Sequence, residues 1–275
     1  MKSWPQGHCS SDDVSLRYFR SGGSNPPLVF VHGFTDSSVY FTRAAAALAA
    51  KWDVVAYDAR GHGQSDRTEI FDDATRVADL VAVVQQLALN RPAMIGHSMG
   101  AATIAQAIAR HSGLSRAVVL EDPSWSEPTD EEIALRREMR GRYLGEWRAW
   151  VADLQRKSHQ QALAQRLSEE PTWSPVDVEM ALEGRFDFQL NLFDQFPLVR
   201  SPWQPLVPRF DCPSLLLIGD DQARGAIITR DQAGLAATLH PLLQWAQVEG
   251  AGHHVKYDRF DQYLAQVTAF LDPFA

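Results

Sequence analysis

The pentapeptide Gly96-His97-Ser98-Met99-Gly100 carries the strongest structural signal in this chain. An apolar run at 92–95, which predicts a short buried strand, precedes it, and a helix-like run over 101–110 follows it. Gly-x-Ser-x-Gly between a strand and a helix is typical of a nucleophile elbow, a tight turn that strains the serine backbone and projects its hydroxyl from the sheet. The outer positions require glycine because a β-carbon there would clash with the crossing strand and helix. Ser98 is therefore the predicted nucleophile.

A second segment, upstream of the elbow, predicts an oxyanion hole. The apolar strand predicted over 28–32 ends in His32-Gly33-Phe34. A strand followed by His-Gly is typical of the place where one half of an oxyanion hole lies. We expect the backbone N–H groups of Phe34 and Met99 to stabilise a developing negative charge together.

A third segment, near the end of the chain, supplies a histidine. The strand-like run that reaches 248 is followed by Glu249-Gly250-Ala251-Gly252-His253, and a helix is predicted over 258–271. A glycine-flanked histidine on such a loop can bring its imidazole to Ser98 as a general base. His253 is the predicted base and its neighbour His254 a rival. No carboxylate or cysteine stands near the two at ligand spacing, so we expect no metal site.

With these motifs the chain resembles the α/β-hydrolase superfamily over nearly its whole length. The segment Asp58-Ala59-Arg60-Gly61-His62-Gly63-Gln64-Ser65 is similar to the loop that follows the fourth strand in that family. The resemblance implies an α/β fold, with a mostly parallel central sheet, helices on both faces and an inserted helical cap. It also implies a triad of serine, acid and histidine, in that order along the chain, with no metal or organic cofactor.

The sequence leaves the acid of the triad open. Glu121 and Asp122 follow one predicted strand, and Asp220 and Asp221 follow another. The later loop lacks the aspartate usual in the family and resembles the haloalkane-dehalogenase branch, where a glutamate directly after the earlier strand takes over. The chain departs from that branch at its nucleophile, which there is aspartate and here is Ser98. We favour Glu121, with Asp221 as the main alternative and Asp220 and Asp122 behind them.

Strands and helices alternate along most of the chain, which predicts a parallel, buried sheet. The alternation stops near 123 and resumes near 213, so we predict a hydrolase core formed by 1–123 and 211–275 and a helical cap, or lid, over 124–210. Five of the eight tryptophans fall in this insertion. Trp125, Trp147 and Trp150 are the predicted substrate-binding residues, because tryptophan commonly lines pockets, although a small lid core would use it equally well.

Composition excludes several other classes of protein. The 275 residues are 45% hydrophobic and 22% charged, which is ordinary for a globular enzyme, and the net charge of −8 disfavours nucleic acid and anionic membranes as partners. No stretch approaches the length needed to span a bilayer, and the first 13 residues lack the apolar core of a signal peptide. We expect a cytoplasmic enzyme, a monomer or small homo-oligomer, with Cys9 and Cys212 as unpaired thiols.

These inferences predict a serine hydrolase that cleaves a carboxylic ester or lactone through an acyl-enzyme. The predicted substrate is a small molecule with an apolar portion facing the cap. Amide hydrolysis, hydrolysis of a carbon–carbon bond and cofactor-free perhydrolysis are alternatives on the same residues. A receptor that retains the triad to sense a ligand is an alternative from another class.

Overall fold

The fold is built on one eight-stranded sheet. The computed structural model describes residues 1, 3–125, 130–196 and 202–275, with 130–141 described as helix backbone only. The strands are β1 (Gln6–Ser11), β2 (Val14–Arg20), β3 (Pro27–Val31), β4 (Asp53–Tyr57), β5 (Ala93–His97), β6 (Ala117–Glu121), β7 (Ser214–Gly219) and β8 (Leu243–Val248). Their order across the sheet is β1-β2-β4-β3-β5-β6-β7-β8. β1 and β2 pair antiparallel with each other, and β2 pairs antiparallel with β4. The remaining pairs, which join β4, β3, β5, β6, β7 and β8 in that order, are all parallel.

Helices connect the parallel strands. They are α1 (Thr42–Leu48), α2 (Asp73–Gln86), α3 (Met99–Arg110), α4 (Asp130–Arg156), α5 (His159–Glu169), α6 (Pro175–Phe186), α7 (Leu192–Gln195), α8 (Arg230–Leu239), α9 (Val255–Asp258) and α10 (Phe260–Leu271). Several begin with side-chain caps; in α2, for example, Asp72 accepts a hydrogen bond from the Thr75 N–H at 2.8 Å. Such a cap supplies an acceptor to a first-turn N–H that has none within the helix.

The two faces of the sheet bury separate apolar cores. In β3, Val29 and Val31 belong to a cluster that includes residues of α2, α3 and α8, whereas Leu28 and Phe30 belong to one that includes residues of α1 and α10. Alternate side chains of a strand point to opposite faces, so a strand that is apolar throughout is covered on both sides. The predicted fold class, a mostly parallel sheet between two layers of helices, is confirmed.

One local feature differs from the sequence expectation. β1 was not among the predicted strands; it forms an antiparallel hairpin with β2, whose two-residue turn contains Asp12 at φ +49°. The helix predicted over 258–271 corresponds to α10, which begins at Phe260; Arg259, with φ −143° and ψ 63°, separates it from the short helix α9. The short helix α9 begins two residues after His253.

Helices α4 to α7 lie between β6 and β7, in the segment predicted as the cap. We call residues 124–210 the inserted segment. It packs on the core through α6, where a β-carbon at Gly184 would stand 2.8 Å from the backbone of Asp36. The division of the chain into core and cap remains a prediction.

Candidate active site

Ser98 occupies a strained turn between β5 and α3. Its backbone has φ +52° and ψ −113°, outside the regions that residues with a β-carbon ordinarily adopt. A β-carbon at Gly100 would lie 2.0 Å from the carbonyl oxygen of Val31, and one at Gly96 would lie 2.6 Å from the nitrogen of Ala101. Both glycines are therefore required by the close approach of strand, turn and helix.

Backbone hydrogen bonds join the elbow to the end of β6. The N–H of Ser98 donates to the carbonyl oxygen of Glu121 at 2.9 Å, and the carbonyl oxygen of Ser98 accepts from the N–H of Ser124 at 3.1 Å. The turn that carries the serine thus lies directly beside Asp122, one of the two residues between these partners.

The two predicted oxyanion donors flank the same turn. Met99 is the first residue of α3, so its N–H has no acceptor within the helix. Among the described residues no backbone acceptor is bonded to the N–H of Phe34, and Thr35 beside it has φ +67°. His32 supports this loop: its Nε2 accepts from the Ala59 N–H at 2.9 Å, so its Nδ1 carries the proton and donates to the Gly33 carbonyl oxygen at 2.8 Å.

His253 is paired with Asp122. The distance between His253 Nδ1 and Asp122 Oδ2 is 2.6 Å, and the carboxylate is fully buried whereas 21% of the imidazole is exposed. The same carboxylate accepts from the N–H groups of Ile227, at 2.9 Å, and Ile228, at 3.0 Å. A carboxylate in this position fixes the imidazole with its proton on Nδ1 and leaves Nε2 available as a base.

The structure does not pair Glu121, the favoured acid, with His253. The Glu121 carboxylate is buried and accepts from the backbone N–H of Lys256 at 3.0 Å, away from the imidazole of His253. The main alternative, Asp221, accepts from the N–H of Arg224 at 3.2 Å and caps a short turn. Asp220 accepts from the N–H of Gly250 at 2.6 Å. None of these three contacts is to the predicted base.

Asp122 contacts His253 and Glu121 does not because the chain changes direction at the end of β6. Glu121 is the last residue of the strand and pairs in register with His97 of β5. Asp122 follows with φ +37°, which turns its side chain towards the histidine loop while that of Glu121 stays on the other side. Adjacent side chains at the end of a strand point in opposite directions, so only one of these two neighbouring carboxylates can face His253.

The comparisons with known proteins agree with this architecture. The sequence profile of a family described as "alpha/beta hydrolase fold" matches residues 26–259, most of the chain. The chain belongs to the α/β hydrolase fold family. The resemblance drawn from the elbow, the His-Gly segment and the loop after β4 is thereby confirmed.

Two curated relatives match over nearly the whole of this α/β hydrolase. N-formylmaleamate deformylase of Pseudomonas putida is 27% identical, over 97% of this chain and 96% of the relative. A 2-(acetamidomethylene)succinate hydrolase of Mesorhizobium japonicum is 28% identical, over 92% and 90%. Among solved structures, the enol-lactonase of Burkholderia xenovorans superposes with a TM-score of 0.73 at 19% identity, covering 97% of this chain and all of that one.

Aromatic side chains surround the Phe34 ring of the predicted oxyanion loop. Trp147 of the inserted segment lies 5.4 Å from that ring, and Phe188 and Phe193 lie at 4.9 and 5.2 Å. Met99, which follows the serine, is part of the same apolar cluster. The structure thus places an apolar, mainly aromatic cluster beside Ser98, the predicted nucleophile.

Of the other two tryptophans predicted to bind substrate, Trp150 packs against the same apolar cluster, whereas Trp125 lies elsewhere. Trp125 is buried and stacks on Trp203 at 5.3 Å, within the core on the α3 side of the sheet. Trp150 has the guanidinium groups of Arg166 and Arg185 over its ring, at 5.0 and 5.5 Å. Of the three tryptophans, Trp147 is the one in ring contact with Phe34.

A buried polar cluster lies behind the elbow. Asp36, His97 and His254 offer ligand atoms within 4.8 Å of one another. The carboxylate of Asp36, however, already faces the guanidinium of Arg185 at 3.5 Å, and His254 Nδ1 is hydrogen-bonded to the hydroxyl of Tyr40 at 3.0 Å. Because a divalent cation would add charge beside a carboxylate that a buried cation already faces, we assign no metal to this cluster.

Lys256 places a second cation in this cluster. Its Nζ lies 2.7 Å from the ring centroid of Tyr40 and 3.5 Å from that of Tyr257, with no hydrogen-bond partner among the described residues. Burial lowers the pKa of Lys256 to about 7, although the carboxylates of Glu121 and Asp36 act to raise it. Burial also holds the pKa of His254 well below its ordinary value.

The lowered pKa of Lys256 predicts how stability depends on pH. Between about pH 7 and the ordinary lysine value of 10.5, the unfolded chain binds a proton that the folded chain lacks, so the free energy of unfolding rises with pH. Lys256→Met should flatten this rise by up to about 1.4 kcal/mol per pH unit. Denaturant titrations from pH 7 to 9 measure it, with Lys51→Met as the control, since Lys51 is exposed and paired with Asp272. Parallel stability profiles for wild type and Lys256→Met would contradict the expectation.

Within the described part of the chain, no helix is long and apolar enough to cross a membrane.

Both cysteines, Cys9 and Cys212, are buried and unpaired. Burial raises the pKa of the Cys212 thiol to about 12, which disfavours the reactive thiolate.

Proposed function

We propose that this α/β hydrolase is a serine hydrolase that cleaves a carboxylic ester or lactone through an acyl-enzyme. The observation that carries the proposal is the 2.6 Å contact between His253 Nδ1 and Asp122, on a loop beside a serine held at positive φ. An acid, an imidazole with its Nε2 available and a strained serine are the parts that nucleophilic acyl transfer requires.

Each residue has a defined task in the proposed reaction. Ser98 Oγ attacks the carbonyl carbon, and His253 Nε2 takes the hydroxyl proton as the new carbon–oxygen bond forms. The N–H groups of Phe34 and Met99 donate to the resulting oxyanion, while Asp122 stabilises the imidazolium. His253 returns the proton to the leaving oxygen, which releases the alcohol. A water molecule then attacks the carbonyl carbon of the acyl-enzyme, and His253 takes its proton and passes it to Ser98 Oγ. This step releases the carboxylic acid and restores Ser98.

The aromatic surface around Phe34 favours a substrate with an apolar portion. Trp147 and Phe193 contact Phe34 and also each other, at 5.2 Å. Burying an apolar group against such a surface contributes roughly 25 cal/mol per Å² of apolar area removed from water. A neutral, partly apolar ester or lactone therefore fits the surroundings of the serine better than a strongly charged one.

Amide hydrolysis is the second candidate. One relative is named N-formylmaleamate deformylase and another 2-(acetamidomethylene)succinate hydrolase, and a structural neighbour is an enol-lactonase. Esters, lactones and amides all react through a tetrahedral oxyanion, so the same residues would serve each of them. The leaving group decides between the candidates.

A substrate series tests the proposed function. We expect p-nitrophenyl esters to give a burst of p-nitrophenol followed by steady turnover, with the best chain length set by the apolar surface. A lactone panel and p-nitroanilides, measured in parallel, distinguish the ester, lactone and amide candidates. If the protein binds compounds of the panel but hydrolyses none of them, it is instead a ligand receptor.

The same series tests the role of Trp147. Trp147→Ala should raise KM for long-chain esters by about tenfold and leave acetate esters nearly unchanged, because it removes apolar contact area, worth about 1–2 kcal/mol, from the bound chain only. Trp125→Ala is the control, since Trp125 is stacked on Trp203 away from Phe34. An equal change in KM across all chain lengths would show that Trp147 only stabilises the fold.

A further inference from the structure

Three hydrogen bonds hold the backbone of Gly252 and His253 in the loop that carries the predicted base. The His253 N–H donates to the carbonyl oxygen of Arg224 at 3.2 Å, and the His253 carbonyl oxygen is bonded to Nε2 of His97 at 3.0 Å. One residue earlier, the N–H of Gly252 donates to Asp258 Oδ2 at 2.7 Å. These contacts fix the histidine backbone, and so they determine where the imidazole lies relative to its acid.

Asp258 connects this loop to the inserted segment. Its Oδ1 accepts from the indole N–H of Trp173 at 2.8 Å and from the guanidinium of Arg224. Asp258 is 8% exposed and Trp173 6%, so these charge-assisted hydrogen bonds lie largely out of water, where they are stronger. Trp173 stands between α5 and α6, whereas Asp258 ends α9.

Arg224 provides a second connection between the loop that carries His253 and the inserted segment. Its carbonyl oxygen holds the His253 N–H, and its guanidinium reaches Thr172 Oγ1 at 3.4 Å and Glu170 at 3.8 Å, both in the inserted segment. A β-carbon at Gly252 would stand 2.4 Å from the Arg224 carbonyl oxygen, so the two loops are in close contact. A displacement of residues 170–173 would therefore act on the histidine loop at two points.

We propose that Trp173 is a positioning residue for the general base. Its indole N–H, acting through Asp258 and Gly252, holds His253 in register with Asp122 and Ser98. The inserted segment therefore helps to set the geometry of the base. This inference rests on the proposed function, because it assumes that His253 acts on Ser98.

Trp173→Phe tests the proposal, because it removes the indole N–H and keeps an aromatic ring against Tyr257. We expect kcat for p-nitrophenyl acetate to fall about tenfold with KM unchanged, since a small displacement of a reacting group slows the chemical step without weakening binding. The midpoint of the acid limb of the kcat/KM profile should move to lower pH, because an imidazolium farther from Asp122 is less stabilised. Trp203→Phe is the matched control: Trp203 is a buried tryptophan of the same segment, and its indole N–H has no hydrogen-bond partner among the described residues.

A second variant covers the possibility that Trp173→Phe unfolds. Asp258→Asn keeps the size of the side chain but cannot accept with two oxygens, so it should change kcat and the pH midpoint in the same direction. The double variant should lose no more than Asp258→Asn alone, because both changes act through one chain of hydrogen bonds. If Trp173→Phe and Trp203→Phe give the same kcat and pH midpoint, or the two losses multiply, the proposal is wrong. Labelling of wild-type Ser98 by a fluorophosphonate separates this outcome from failure of the proposed function, in which no such labelling occurs.

Discussion

Ser98→Ala is expected to abolish hydrolysis, with a loss of at least about 10³-fold in kcat, while the protein folds normally. The reason is that the elbow projects one hydroxyl, and no other group in the described site is placed to form the acyl-enzyme. Alanine keeps the β-carbon of serine, so the turn at φ +52° experiences the same backbone strain in both proteins. The measurement is steady-state hydrolysis of a p-nitrophenyl ester, together with covalent labelling by a fluorophosphonate probe.

Ser124→Ala is the matched control for this variant. Ser124 is as buried as Ser98, both being 9% exposed, and it holds the Ser98 carbonyl oxygen through its backbone N–H, which alanine retains. We expect it to keep activity within a few-fold of the wild type and to be labelled normally. Labelling of a residue other than Ser98, or a burst of product from purified Ser98→Ala, would refute the nucleophile assignment.

The elbow, the predicted oxyanion loop and the loop that carries His253 could all be located from the sequence, for a common physical reason. Each is a short segment that contains a glycine at which a β-carbon would stand less than 3.0 Å from a neighbouring atom. At Gly100, for example, a β-carbon would stand 2.0 Å from a backbone oxygen of β3. Constraints of this kind leave a pattern in consecutive residues, and the alternation of strands and helices around them predicts the sheet.

The carboxylate that contacts His253 could not be identified in this way, because the information that selects it is not local. Glu121 and Asp122 are adjacent carboxylates, and the choice between them depends on φ +37° at Asp122 and on donors from Ile227 and Ile228, more than 100 residues away. The resemblance to a branch that uses glutamate favoured Glu121, whereas the structure pairs Asp122 with His253. The contact between Trp173 and Asp258 has the same character, since no pattern in either segment indicates the other.

Asp122→Asn is expected to lower kcat by roughly 10³–10⁴-fold, because an amide cannot stabilise the imidazolium by charge and favours the wrong imidazole tautomer. Both carboxylate oxygens accept from N–H groups, so the amide NH2 of asparagine must face a donor in either orientation. A lower thermal midpoint should accompany the loss of activity. Circular dichroism must therefore show that the variant is folded before its kinetics are compared with those of the wild type.

Glu121→Gln and Asp221→Asn are the controls that separate a catalytic carboxylate from a structural one. Glutamine at 121 can still accept from the Lys256 N–H, and asparagine at 221 can still accept from the Arg224 N–H. Because neither side chain contacts the imidazole, both variants should keep kcat within a few-fold of the wild type and show their effect on the thermal midpoint. The opposite pattern, in which Glu121→Gln loses activity steeply and Asp122→Asn does not, would mean that His253 changes partner in the working enzyme. The 2.6 Å contact between Asp122 and His253 would then describe a resting arrangement only.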